Sequence, residues 1–153
     1  MLLAQLIVEE TCLGTIRASA LQLNNGGNGT MLGWVTMCVD SYPVRVIRRD
    51  GQVVAWGMLE PAFMDGYRHS HTNPHISVFV HHLHRREGLG RLLAISLLDL
   101  ARQEGHGSIR VRCDPPGRYM YRMVADSQGL CCSCYGDEGD FLILLRKEGA
   151  IAA

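Results

Sequence analysis

His75-Ile76-Ser77-Val78-Phe79-Val80 is followed directly by His81-His82-Leu83-His84-Arg85-Arg86-Glu87-Gly88-Leu89-Gly90-Arg91, and the chain then reaches Glu104-Gly105 with no intervening glycine or proline. Ile76, Val78 and Val80 alternate with Ser77 and Phe79, and all but Ser77 are β-branched or aromatic, which predicts a strand over 75–80. From Leu89 onward Leu92, Leu93, Leu97, Leu100 and Ala101 recur at the spacing of one helix face. Gly105 supplies the stop signal. Between strand and helix lies a short loop with two glycines and three arginines.

A strand, a glycine-containing turn and a helix start together form an anion site. The first amides of a helix have no internal acceptor, and the helix dipole adds partial positive charge there. Gly88 and Gly90 carry no side chain, so a phosphate is able to approach the backbone closely. Arg85, Arg86 and Arg91 add charge suited to phosphate oxygens, and Glu87 is expected to turn its side chain away. The bland alternative is an ordinary strand-to-helix turn. The loop is neither a dinucleotide fingerprint nor a Walker loop, since Gly-x-Gly-x-x-Gly and Gly-Lys-Ser/Thr are both missing from it.

The stretch resembles motif A of the GNAT N-acetyltransferase superfamily, Val-x-Pro-x-x-Arg-x-x-Gly-x-Gly. It runs here as Val80-His-His-Leu-His-Arg85-Arg-Glu-Gly88-Leu-Gly90, with His82 in the place of the proline. The resemblance implies an α/β (α+β) GNAT-like fold, a central mixed sheet of about six to seven strands flanked by about four helices. It implies that acetyl-CoA, as co-substrate, lays its diphosphate on the amides from Arg86 through Glu87, Gly88, Leu89 and Gly90 to Arg91, close to Arg85. The backbone of Val78, Phe79 and Val80 would then pair with the pantetheine arm.

Composition sets the outer bounds. A chain of 153 residues suits one domain, taken as 1–153, with a single sizeable core. Zero formal net charge gives no long-range attraction to nucleic acid or an anionic membrane, so neither is expected as a partner. No apolar run approaches a membrane span, and the apolar start over 1–8 reads as a strand rather than a signal peptide. The six cysteines, without an export signal, are expected to be reduced thiols in a cytoplasm.

In chain order, strands are predicted over 2–8, 44–48, 52–60, 75–80, 108–113, 130–135 and 141–146. Helices are predicted over 11–23, 30–39, 89–104 and 117–125. Asp50-Gly51 marks a tight hairpin. The last two strands read as a closing hairpin, which in such a sheet is able to pair across a two-fold axis as a homodimer. His81, His82 and His84 raise the question of a metal. Neighbouring strand residues face opposite sides, so His81 and His82 are not expected to share an ion, and no metal site is expected. Cys131, Cys132 and Cys134 lack a second Cys-x-x-Cys and read as small core and edge residues.

A second match to the same family lies downstream. There an Asn often precedes a Tyr by seven residues on the last helix; here Asp114 precedes Tyr121 by seven. By this resemblance Tyr121 is the candidate acid for the CoA sulfur. An amide near Val80 would hold the carbonyl oxygen. His75 and Glu60 are rival candidates for the base that deprotonates the amine, and a chain of waters is a third. The expected function is N-acetyl transfer from acetyl-CoA to a primary amine, small molecule or protein, directly within a ternary complex. A non-catalytic GNAT-fold sensor of acetyl-CoA or CoA is the first alternative, and a phosphate-binding interaction module without CoA the second.

Overall fold

The computed structural model of the chain describes residues 6–23, 38–61, 73–112, 115–134 and 140–145. Among the described residues there are seven strands: β1 Glu9–Cys12, β2 Pro43–Arg49, β3 Gln52–Glu60, β4 His75–Val80, β5 Ser108–Arg112, β6 Cys131–Cys134 and β7 Asp140–Leu144. The α-helices among the described residues are α1 Leu13–Leu23, α2 Leu89–Gln103 and α3 Pro115–Ser127. No described helix is long and apolar enough to cross a membrane.

The architecture is the mixed α+β arrangement expected, with the strands in the order β1-β2-β3-β4-β5-β7-β6. Only β4 and β5 run parallel; every other neighbouring pair is antiparallel. The last hairpin enters with β7 inside, against β5, and leaves β6 at the edge. Asp50 and Gly51 both take positive φ, 51° and 76°, which joins β2 to β3 by a tight turn matched to strand twist.

Two local expectations need correction. Of the strand expected over 2–8, residues 2–5 lie outside the described residues and Leu6–Val8 are not strand; Glu9–Cys12 pair with β2. Edge strands are often polar, and this one is tied by Glu9 to Arg48 at 2.9 Å. Helix α1 therefore begins at Leu13, where the amides of Leu13 and Gly14 donate to the carbonyls of Tyr42 and Asp40, both at 2.9 Å. Helix α3 begins at Pro115 rather than Gly117, since prolines are well accommodated in a first helical turn. The helix expected over 30–39 lies largely outside the described residues; Cys38 and Val39 are not helical.

Side chains divide by strand alternation between the two faces of the sheet. Val44, Val46, Trp56, Met58 and Phe79 face α1, where Leu13, Ile16 and Ala20 are buried against them. Leu59, Ile76, Ile109 and Val111 face the other way, toward Ala94, Leu97, Leu98 and Ala101 of α2 and Tyr121, Val124 and Ala125 of α3. Helix α2 lies close on the sheet at Gly57, where an added Cβ would sit 2.7 Å from Leu97 Cδ1 and 3.2 Å from the Ser77 carbonyl oxygen. Helices α2 and α3 end alike. Gly105 and Gly129 take φ of 82° and 67°, and His106 and Leu130 donate back to Ala101 and Ala125. The residues after Tyr121 thus extend α3 until Gly129 ends it.

Gly57→Ala is expected to cost about 1–3 kcal/mol, because Leu97 is fully buried and the Ser77 backbone cannot yield. A lower urea midpoint at unchanged m-value checks this.

Candidate active site

Strand β4 is paired along its whole length with β3, from Glu60↔His75 to Ala55↔Val80. Its other side is different. Among the described residues, the parallel ladder to β5 holds His75↔Arg110 and Ile76↔Val111 and does not take in Ser77 and Arg112, although both belong to their strands. Among the described residues the sheet is therefore open on this side of β4 beyond Ile76. His81 N–H donates to the Val54 carbonyl at 2.8 Å, which fixes the phase of the β3–β4 ladder. In that phase the polar backbone groups of Phe79 and Ser77 serve β3, and those of Val78 and Val80 point into the gap.

The loop at the tip of the gap is shaped by its backbone. A 3₁₀ turn over His82–His84 is capped by His81, whose Nδ1 accepts from the Leu83 amide at 3.2 Å. Arg86 takes φ 65°, a left-handed conformation uncommon for a side-chain-bearing residue, and Gly88 follows at φ 80°. Gly88 is the N-cap of α2 and offers no side chain. Among the described residues, the amides of Arg86, Gly88, Leu89, Gly90 and Arg91 meet no protein acceptor, while that of Glu87 closes the turn over Arg85 and Arg86. The contrast with α1, whose first amides are satisfied by carbonyls, is direct. Gly90 stands over the gap: a Cβ there would lie 3.6 Å from Val80, 3.7 Å from Val78 and 3.8 Å from Met120 of α3.

Charges around the loop are sorted. Arg85 Nε donates to the Val80 carbonyl at 3.3 Å. Glu87 turns to Arg49 at the end of β2, at 2.5 Å, and Arg49 Nη1 also lies 3.1 Å from His84 Nδ1. The rings of His81 and His82 stack with centroids 4.4 Å apart. The alternation argument that separated them fails, because the strand ends at Val80 and both rings belong to the turn. Partial burial, then the neighbouring His82, His84 and Arg85, pushes the His81 imidazole below its ordinary range. Among the described residues no group of three His, Cys, Asp or Glu side chains converges as a metal site.

Glu60 and His75, read from the sequence as rivals, are directly paired across β3 and β4. Directly opposed residues hold their Cβ atoms about 5 Å apart. Arg110 pairs with His75 from the other side, on β5. Glu60, His75 and Arg110 thus form one row across three strands on the α1 face, at the closed end of the splay. Arg110 gives no local signal in the sequence; only the parallel register brings it there. Glu60 is 5 % exposed, and its carboxylate acts on neighbours. Burial, with the Glu60 charge second, pushes the Cys38 thiol up to about 12, and the same two causes raise Tyr42. Tyr121 lies on the opposite face, 3 % exposed, in the same buried cluster as Ile76 and Val111, the last paired residues before the gap. Asp114 lies outside the described residues. A separate hollow of about 410 Å³, between Arg122 and Asp126 of α3 and Cys131 and Cys132 of β6, contains none of these groups.

The chain belongs to the acetyltransferase (GNAT) family, whose model matches residues 28–129. Solved structures with the same fold include yncA from Salmonella typhimurium with its cofactor acetyl-CoA, at 20% identity and TM-score 0.65 over 98% of this chain and 99% of that one. Diaminobutyrate acetyltransferase EctA from Paenibacillus lautus, in complex with L-2,4-diaminobutyric acid and coenzyme A, aligns at 13% identity and TM-score 0.66 over 95% and 100%. A ribosomal-protein-alanine N-acetyltransferase from Brucella melitensis aligns at 21% identity and TM-score 0.60 over 90% and 97%. No curated protein matches the chain in sequence.

The environment of Cys38 is testable by alkylation, since only the thiolate reacts. With its thiol pushed up to about 12, Cys38 is ionised to about one part in 10⁴ at pH 8. Iodoacetamide under native conditions should therefore label exposed Cys131, and Cys12, whose thiol is lowered chiefly by the Thr15 hydroxyl, well before Cys38.

Proposed function

We propose that this protein is an N-acetyltransferase that moves the acetyl group of acetyl-CoA onto a primary amine, directly and within a ternary complex. The observation that carries this reading is the set of unsatisfied amides within the run from Arg86 to Arg91 at the mouth of the β4–β5 splay. A diphosphate set on those amides meets outward N–H donors and the positive end of α2, with Arg85, Arg86 and Arg91 nearby. The pantetheine arm then runs into the gap, where its amides pair with the backbone of Val78 and Val80 as an added strand would. This delivers the thioester toward Ile76 and Val111, where the splay closes.

The chemistry needs a deprotonated amine, a polarised carbonyl and a protonated leaving group. The amine nitrogen attacks the acetyl carbonyl, the C–S bond breaks, and the sulfur takes a proton. The Val78 N–H, which points into the gap nearer its closed end, serves the carbonyl oxygen. Tyr121 reaches the closed end of the gap from α3 and is the proton donor to sulfur. His75, from the α1 face, takes the proton of the amine, with Glu60 beside it orienting the ring and balancing the charge it acquires. The two candidate bases act as one unit rather than as alternatives.

The acceptor is a primary amine of a class the described residues leave open. Diaminobutyrate and a ribosomal-protein alanine are the acceptors named for two structural neighbours, which brackets the class between a small diamine and a protein N-terminus. A cytoplasmic location suits acetyl-CoA supply and the thiols of Cys12 and Cys131.

Release of free thiol from acetyl-CoA in the presence of an amine panel tests the function. Tyr121→Phe keeps the buried ring and removes the proton, so kcat should fall by about 10²-fold with KM for acetyl-CoA little changed. His75→Gln and Glu60→Gln should each lower kcat/KM for the amine, and together no more than His75→Gln alone. Thiol release that no amine accelerates, with acetyl-CoA still bound, would favour a sensor over an enzyme.

A further inference from the structure

The anion loop contains an acid. Glu87 lies between Arg86 and Gly88, within the run of amides assigned to the diphosphate. A free carboxylate there would repel a dianionic group and would compete for the same N–H donors. The structure gives Glu87 a different partner, brought from far away in sequence. Arg49 ends β2, next to the Asp50-Gly51 turn, and its Nη1 donates to Glu87 Oε2 at 2.5 Å. The same Nη1 lies 3.1 Å from His84 Nδ1 in the preceding 3₁₀ turn. Both partners are only part-exposed, at 35% and 40% of the side chain.

Position matters as much as charge. β3 lies on one side of β4 and the open gap on the other. Arg49 comes from the β2–β3 hairpin, so it draws the carboxylate to the β3 side, away from the gap. The two contacts also brace the loop on both sides of Arg86, through His84 before it and Glu87 after it. Arg86 holds a left-handed φ of 65°, a conformation that flanking constraints must maintain.

We infer that Arg49 is a positioning residue for the diphosphate cradle: it holds the Glu87 carboxylate out of the anion site, neutralises it, and fixes the turn that aims the Arg86–Arg91 amides. Arg49 itself does not touch the cofactor. This inference rests on the reading of that loop as the acetyl-CoA diphosphate site.

Calorimetric titration with two ligands tests it: acetyl-CoA, and S-acetylpantetheine, which lacks the diphosphate. Arg49→Gln should weaken acetyl-CoA by about tenfold and leave S-acetylpantetheine unchanged. Adding Glu87→Gln should restore most of the loss, because no carboxylate remains to be restrained. Arg49→Lys should retain most of the affinity by keeping the charge, and it serves if Arg49→Gln does not fold. Equal acetyl-CoA affinity for the wild type and Arg49→Gln, with both folded, overturns the role of Arg49. So does a loss that Glu87→Gln fails to rescue, or an equal loss for S-acetylpantetheine. Failure of the wild type to bind acetyl-CoA at all overturns instead the reading of the loop.

Discussion

A parallel ladder that holds two residue pairs among the described residues is the constraint on which the rest of this molecule turns. β4 and β5 pair at His75↔Arg110 and Ile76↔Val111, then part while each remains anchored on its far side, β4 to β3 and β5 to β7. Two fully paired outer halves hold the sheet together, so the opening at its centre does not unravel it. Backbone N–H and C=O groups facing such an opening are costly to leave dry, which makes the gap a natural bed for an extended, amide-bearing ligand.

Helix starts make the same point. Leu13 and Gly14 at the start of α1 are capped by the carbonyls of Tyr42 and Asp40, with Arg17 and Asp40 closing the corner. At the start of α2 the chain offers neither a capping side chain nor a carbonyl, and accepts a left-handed Arg86 as well. The same fold satisfies one helix start and leaves the other open beside the gap. The acid within that second start, Glu87, is paired with Arg49.

How far the sequence spoke depends on the range of the interaction. β3 and β4 fall on the residues that alternation indicates, and the α2 start at Leu89 and stop before Gly105 follow from local glycine and apolar spacing. The same local rules missed β1, because an edge strand of Glu-Glu-Thr-Cys shows no apolar alternation while Leu6–Val8 before it are outside any strand. They also misjudged His81 and His82, whose facing depends on where the strand ends. Long-range register was beyond reach: nothing in the sequence near Glu60 or His75 announces that they are neighbours, nor that Arg110 completes their row. Arg49 and Glu87 are a similar case, joined only once the β2–β3 hairpin lies beside the loop. The loop between β4 and α2 was legible because it is written in consecutive residues. The row of Glu60, His75 and Arg110 was not, because it is assembled from three strands.

The central claim is that the Arg86–Arg91 amides and the free edge of β4 hold acetyl-CoA. Amide NMR of the labelled protein titrated with CoA examines those groups individually. The account requires the largest shifts at the amides of Arg86 to Arg91, with Val78 and Val80 next, and smaller effects on the β3-facing amides of Ser77 and Phe79. Shifts centred on Arg122, Asp126 and Cys131, with the Arg86–Arg91 amides unmoved at saturation, would contradict it.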